Sequence, residues 1–296
     1  MEHLAGNGCE TGISLSERKP RKEIERSIVK EYRKYLWAKF NKAVRDYKLV
    51  QEGDRIAVAV SGGKDSLLMA KLFQEMEKHR VCHFELEFIS MDPGFHETNR
   101  QLLLENCEYL NIPVKLFETD IFRIVDHIAR DYPCYMCARM RRGALYGKAQ
   151  ELGCNKLALA HHFDDIIETT LLNLFYAGEF KTMRPRLRSR HFENLELIRP
   201  MCYIHEEDIK RFTSNNGIPA MNCGCVVAAK KTSSKRREVK ELIAKLKESN
   251  SGIDQSIFKS AQNVNLDSLW GWKKDGVRFS CLDGFEDRKG NGLPEN

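Results

Sequence analysis

Apolar positions recur along the chain with two different periods. From Lys22 to Tyr47, Ile24, Ile28, Tyr32, Tyr35 and Phe40 return at roughly helical spacing among basic residues, which predicts an amphipathic basic helix. The pattern then changes to short apolar runs separated by helical stretches. The runs are RIAVAV (55–60), FELEFISM (84–91), PVKLFET (113–119) and KLALA (156–160). Helices are predicted from Lys64, from Glu97, near Ile121, from Ala138 to Glu151 and from Asp164 to Tyr176. Short buried strands alternating with helices predict an α/β fold, a doubly wound parallel sheet with helical extensions, whose ligands bind beyond the carboxyl ends of the strands.

The same pattern divides the chain. Residues 1–21 carry Gly, Ser and charges without periodicity and read as a mobile leader; 22–50 hold the basic helix, and 51–226 the α/β domain. Within that domain, KTMRPRLRSR (181–190) has too many arginines and prolines for a core element, whereas ELIRP is expected to enter the sheet edge before a short helix from His205. Residues 227–265 form a second basic helical extension, with Val239, Leu242, Ile243 and Leu246 on one stripe, and 266–296, around WGWKKDG, a weakly structured tail.

Composition narrows the setting. A chain of 296 residues, 42% of them hydrophobic, suffices for one large α/β domain with extensions. No window approaches the roughly 18 apolar residues of a membrane span, and MEHLAGNGCE lacks the apolar core of a signal peptide, so a cytoplasmic protein without membrane attachment is expected. Ten cysteines in a reducing compartment are then thiols rather than a disulfide framework. Cys82, Cys107, Cys154 and Cys202 stand among apolar neighbours as core fillers, while the clustered ones point to metal or catalysis. The net charge of +6 is concentrated: residues 17–48 hold 12 Lys/Arg against 5 Asp/Glu, and 230–248 hold 8 against 3. Such density suits a polyanion, or solvated helix faces.

Three stretches carry candidate chemistry. AVAVSGGKDSLLM runs from a buried strand through Ser61, Gly62 and Gly63 into a helix at Lys64. Paired glycines let backbone amides approach an anion, and the helix N-terminus adds unsatisfied N–H groups. Lys64 supplies a point charge, and Asp65 beside it makes sense if Mg²⁺ lies between its carboxylate and a phosphate. The spacer of a Walker A loop is missing. ALAHHFDDIIETTL places His161, His162, Asp164 and Asp165 at another strand's carboxyl end, where one carboxylate can cap the helix while the other, taken here as Asp165, faces Mg²⁺ or substrate.

The third stretch, PCYMCARMRRG, sets Cys134 and Cys137 before Arg139, Arg141 and Arg142. A thioredoxin-like pair would follow the first strand, a place already held by the glycine loop. Zinc needs four ligands, which Cys223 and Cys225 of NCGC could complete. An iron-sulfur cluster on three cysteines would leave one iron open to a sulfur nucleophile. Zinc, cluster and inert thiols all stay open on the residues alone.

Ser61 to Ser66, SGGKDS, match the SGGxDS signature of the PP-loop ATP-pyrophosphatase superfamily, and HHFDD resembles its HHxDD segment. CYMCARMRRG and MRPRLRSR...LIRPMCYIHEEDI are similar, in order, to segments of the bacterial tRNA 2-thiocytidine biosynthesis (TtcA) family, from about residue 30 to 226. The resemblance implies an adenine-nucleotide α-hydrolase (PP-loop) fold. It also implies ATP bound with Mg²⁺ by Ser61, Gly62, Gly63, Lys64, Asp65, Ser66 and His161, with Asp65, Arg141 and Asp165 catalytic.

It further implies a 4Fe-4S cluster on Cys134, Cys137 and Cys223, the last standing four residues after Pro219, with Cys225 as the alternative third ligand. The implied reaction is ATP-dependent 2-thiolation of an anticodon-loop cytidine through an adenylated base, with tRNA and a sulfur donor such as a cysteine desulfurase as partners and a homodimer as the assembly. The alternatives are a 2-thiouridine-forming (TtuA-type) enzyme, another tRNA-modifying PP-loop enzyme such as a lysidine synthetase, and a zinc-binding RNA-binding member using the four cysteines structurally.

Overall fold

The computed structural model describes residues 18–79, 82–122, 124, 133–221 and 233–283. Helices α1 (Arg21–Val29) and α2 (Ala38–Tyr47) precede β1 (Asp54–Ala59), α3 (Lys64–Lys78), β2 (Phe84–Asp92), α4 (Glu97–Tyr109) and β3 (Val114–Glu118). Then come α5 (Pro133–Glu151), β4 (Lys156–Ala158), α6 (Phe163–Leu172), β5 (Arg186–Arg188), β6 (Glu196–Ile198) and α7 (Glu206–Asn215). The chain continues with α8 (Ser233–Ser249), α9 (Ile253–Ser260) and a hairpin of β7 (Gly271–Lys274) and β8 (Val277–Ser280).

Among the described residues the main sheet runs β3-β2-β1-β4-β6-β5. All neighbours are parallel except the edge strand β5, which runs antiparallel to β6. Alternation along β1 explains the two covered faces. Ile56 and Val58 join the cluster of α1 to α4 and α7, while Ala57 turns to Tyr146 and Ala149 of α5 together with Ile89, Leu157 and Leu197. Both faces are apolar, as a parallel sheet requires.

The register places the site. Val58 lies opposite Phe88 and Ala158, and Ala158 opposite Ile198, so β1, β2, β4 and β6 end along one edge. Ser61, His161 and Arg199 all leave the sheet there. This is the doubly wound arrangement expected from the strand and helix periods.

Five local expectations are revised. The basic N-terminal helix is not continuous: α1 ends at Val29, and a π-type turn at Arg33–Trp37 precedes α2. A π turn inserts a residue and rotates the apolar stripe, so Leu36 and Trp37 are buried and Tyr35 is 38% exposed. KTMRPRLRSR supplies β5, an edge strand that tolerates arginines because one side faces water. The helix bearing the CYMC stretch begins at Pro133 rather than Ala138. Of the α8 stripe, Val239 and Ile243 are buried, while Leu242 and Leu246 are more than a third exposed. In the tail, expected to be weakly structured, Asp275 and Gly276 take positive φ and close the β7–β8 hairpin, over which Trp272 stacks on Phe279.

Three of the four isolated cysteines pack as expected, while Cys82 is only partly buried. Cys107, Cys154 and Cys202 are buried, and burial pushes their thiols up to about 12, 11 and 12, so they stay protonated. No helix among the described residues is long and apolar enough to cross a membrane.

Candidate active site

β1 delivers the glycine loop. The Ser61 N–H donates to Ser66 Oγ at 3.1 Å, and Ser66 Oγ donates to the Gly63 carbonyl at 2.9 Å, so one buried hydroxyl shapes the turn into α3. Gly62 has φ +80°, and a Cβ there would collide with Met221 Sδ. The requirement for glycine is therefore both conformational and steric. Gly63 has no such constraint: a Cβ would meet Ser61 Oγ at 3.6 Å and the Met221 carbonyl at 3.8 Å.

Charged groups gather over this loop. Lys64 Nζ lies 3.2 Å from Asp65 Oδ2 and 3.3 Å from Glu206 Oε1, the first residue of α7. Glu206 also receives Lys240 at 2.6 Å and Lys210 at 3.0 Å. Burial pushes the Glu206 carboxyl up, but hydrogen bonds from Lys240 and Lys210 and the charge of Lys64 outweigh it and hold the group at about 2. Asp65 Oδ1 is buried without a hydrogen-bond partner. It fits a cation, because a buried carboxylate oxygen otherwise bears an uncompensated desolvation cost.

β4 delivers the second element. His162 caps α6: its Nδ1 accepts the Asp165 N–H at 3.4 Å, and Asp165 Oδ2 accepts the His162 N–H at 3.1 Å. The two neighbouring carboxylates divide their work differently from the expectation. Asp165 completes the cap of its own helix, while Asp164 Oδ2 accepts the Glu206 N–H at 2.7 Å and so caps α7. His162 Nε2 stands 3.4 Å from Asp165 Oδ2 and 3.9 Å from Asp65 Oδ1, joining the two acidic residues.

His161 is held by Arg199, whose Nε donates to His161 Nδ1 at 3.3 Å while its Nη1 donates to the Arg184 carbonyl at 2.5 Å. Burial, then the Arg199 charge, lowers His161 to about 4. The imidazole is thus neutral at pH 7, with Nδ1 accepting and Nε2 carrying the proton. Arg199 is 5% exposed, and burial followed by the charge of Arg142 brings it down to about 10. Arg141 has a buried Nε without a hydrogen-bond partner.

α8 reaches into the same site, which its sequence concealed. Arg236 Nη2 binds Asp165 Oδ1 at 2.8 Å, and its Nε binds Glu168 Oε2 at 2.6 Å. Together with Lys240 one turn later, two cations expected on an outward basic stripe face the carboxylates instead. Glu206, Arg199 and Arg236 were not among the expected site residues. Only Arg199 had a local signal, following an apolar strand as Ser61 and His161 do.

Of the clustered cysteines, Cys137 reaches this edge. Cys137 on α5 is buried, packed with Met91 at the end of β2 and with Ile121, and position 134 lies one turn earlier on the same helix. Cys223 and Cys225 lie outside the described residues. The chain leading to them is fixed, however: the Pro219 carbonyl accepts Asn106 Nδ2 at 2.6 Å, and the Met221 N–H donates to the Gly62 carbonyl at 3.0 Å. The buried thiol of Cys137, with position 134 one helical turn earlier, has the donor chemistry that suits a cysteine-held metal group. A cleft of about 550 Å³ lies at the opposite edge, where Asp54, Lys156, Arg186 and Glu196 pair with one another; this chemistry is structural.

Residues 33–222 match a family model described as a PP-loop domain. The chain is 38% identical over 225 residues to the tRNA-cytidine(32) 2-sulfurtransferase of Syntrophotalea carbinolica, covering 75% of this chain and 86% of that protein. It is 40% identical over 226 residues to the protein of the same name from Pelobacter propionicus, covering 76% and 83%. The solved structure of U34-tRNA thiolase NcsA from Methanococcus maripaludis with its [4Fe-4S] cluster superposes with a TM-score of 0.63 at 24% identity, over 81% of this chain and 77% of that one, and shares the fold. A glycine loop at the end of β1, an acidic cap at the end of β4 and this extent of identity lead to one assignment: the chain belongs to the PP-loop proteins and, among them, to the tRNA-cytidine(32) 2-sulfurtransferase (TtcA) family.

Proposed function

We propose that this chain, an enzyme of a transferase family, thiolates tRNA at C2 of an anticodon-loop cytidine at the expense of ATP. The observation that carries the reading is the Met221 N–H bond to the Gly62 carbonyl, which ties the segment leading to Cys223 to the phosphate loop. In this reading the thiols stand beside the phosphate loop, so activation and sulfur delivery act on one base.

In this reading the amides of Ser61, Gly62 and Gly63, with Ser66 shaping the turn, receive the ATP phosphates at the α3 N-terminus. Lys64 exchanges Glu206 for phosphate oxygen, and Asp65 holds Mg²⁺ through the oxygen that accepts no hydrogen bond within the protein. His161 offers its Nε2–H to the nucleotide. The cytidine O2 attacks the α-phosphorus and pyrophosphate leaves; Arg141 stabilises the charge on the adenylate, and Asp165 orients the reacting groups through His162. Sulfur then replaces AMP at C2, which a carbonyl oxygen without activation would not permit. A 4Fe-4S cluster on Cys134, Cys137 and Cys223 supplies, when bound, an iron without a protein ligand on which sulfur can be carried. A sulfur donor such as a cysteine desulfurase and a homodimeric assembly belong to the same proposal.

The test is reconstitution under anaerobic conditions with tRNA, ATP, Mg²⁺ and sulfide, followed by mass spectrometry of the nucleosides. The expected result is 2-thiocytidine formed with equimolar AMP, and neither product with Lys64→Ala. AMP without thiolated base, or 2-thiouridine in its place, would sink this reading.

A further inference from the structure

α6 carries Asp165 in its first turn and ends in an exposed aromatic corner. The helix widens into a π-type turn at Asn173–Ala177, and Leu174, Phe175, Tyr176 and Phe180 are 44%, 53%, 45% and 50% exposed. Isolated exposed apolar residues need no explanation, but four within seven positions do. They form one corner because the chain folds back on itself: the Glu179 N–H donates to the Asn173 carbonyl at 3.1 Å, and Asn173 Nδ2 donates to the Lys181 carbonyl at 2.9 Å. Phe180 is thereby returned beside the turn that bears Phe175.

The corner is connected to the active site along two routes. Tyr176 is pinned to α8, its hydroxyl donating to Glu238 at 2.6 Å and Lys235 lying 4.8 Å above its ring; the residue between these partners' neighbours, Arg236, grips Asp165. The loop beyond Phe180 runs back along α6, where Thr182 meets Thr170 at 2.8 Å, to Arg184, whose carbonyl holds Arg199 and so His161. Cations line this return. Lys181 is 68% exposed beside Glu179 at 3.8 Å, and Arg184 and Arg190 are exposed with no carboxylate partner among the described residues.

We infer that this corner, Phe175 and Phe180 with Lys181 and Arg184, receives unpaired bases of the tRNA loop next to the nucleotide being modified. The inference rests on the proposed function and adds the surface that docks the substrate. A base reacting at O2 has to leave its stack, and its neighbours then expose apolar faces that aromatic side chains cover. Exposed phenylalanines flanked by solvent-facing cations are complementary to bases joined by phosphates, whereas a second copy of this chain would bring the same cations against themselves. The basic stripe of α8 is a poorer candidate, because Arg236 and Lys240 are committed to carboxylates.

The test is equilibrium binding of a fluorescent anticodon stem-loop RNA to the full-length protein without ATP or a sulfur source, alongside sedimentation and ATP binding. Phe175→Ala with Phe180→Ala should weaken RNA binding roughly tenfold or more. Phe175→Tyr with Phe180→Tyr should restore it, since the ring face is what stacks. Lys181→Gln with Arg184→Gln should flatten the salt dependence by about 0.7 in slope per cation. ATP affinity should be unchanged in all three. If the alanine pair loses ATP binding, its fold is compromised and the tyrosine and glutamine pairs decide alone. Unchanged RNA affinity and slope in the variants would overturn the inference, as would a halved mass at unchanged RNA affinity, which would assign the corner to a second copy. Wild-type protein that binds the stem-loop through this corner yet never thiolates it would sink the proposed function and leave the inference standing.

Discussion

Replacing Gly62 by alanine separates what the phosphate loop needs to fold from what it needs to bind. At φ +80° an alanine bears the left-handed backbone penalty of about 1–2 kcal/mol. Its Cβ would also run into Met221 Sδ and lie 3.2 Å from Leu103 Cδ1. Overpacking of this kind costs about 1–3 kcal/mol, with the lower half expected because a methionine side chain can move. The sum is about 2–4 kcal/mol, which at a few degrees per kcal/mol lowers the melting temperature by about 5–15 °C. Because Met221 also bonds to the Gly62 carbonyl, the segment toward Cys223 should loosen as well, and iron content should fall with stability.

Gly63→Ala is the matched control. Its Cβ meets only ordinary contacts, at 3.6 and 3.8 Å, on a backbone with φ −74° that any residue adopts, so the melt should stay near wild type. The added methyl would, however, project where a phosphate is proposed to approach the backbone, so the rise in melting temperature on adding ATP should disappear. Thermal melts by circular dichroism, with and without ATP and Mg²⁺, read both effects. Equal destabilisation by the two variants, or a Gly62→Ala protein that melts like wild type, would refute the reasoning.

Arg236→Met should lower stability by about 1–3 kcal/mol in denaturant titration, because Glu168, 6% exposed, loses the cation at 2.6 Å; Arg236→Lys should recover part of it. Glu206, held at about 2 against an ordinary 4.5, contributes stability that is complete above pH 4.5 and lost as pH falls toward 2. Glu206→Gln should therefore flatten the acid limb of a stability-against-pH curve in that window, and an unchanged limb would contradict the assignment. Cys134→Ser, Cys137→Ser and Cys223→Ser should each empty the cluster site in anaerobically purified protein while Cys225→Ser retains iron; the reverse result for the last two would exchange the third ligand. Lys64→Ala and Asp65→Ala should abolish AMP formation with iron content unchanged, and loss of iron at intact folding would show that the two sites are not separate.

Much of this molecule is written in local patterns. The alternation of RIAVAV, FELEFISM and KLALA with helices is enough for a parallel sheet, because a strand buried on both faces must be apolar along its length. The SGGKDS turn is equally local: a positive φ at Gly62 and a hydroxyl at Ser66 five residues from Ser61 act within one loop. The two boundaries of the helix before Cys137 and of the broken N-terminal helix were less legible, since a π turn depends on which face the core accepts.

What distance along the chain conceals, the fold decides. Nothing near Lys240 or Arg236 in the sequence distinguishes them from solvated lysines and arginines; they become site residues because α8 packs on α6 and lays one helical face over Asp165, Glu168 and Glu206. Likewise, the identities of Asp164 and Asp165 cannot say which caps which helix, a matter settled by where the α7 N-terminus arrives. The sequence by itself determined the parallel strands, the glycine loop and the residue types able to bind phosphate. The tertiary structure alone decided which charges meet, because a salt bridge depends on distance in space and short-range periodicity carries no information about partners as far apart along the chain as Lys64 and Glu206 or Arg236 and Asp165.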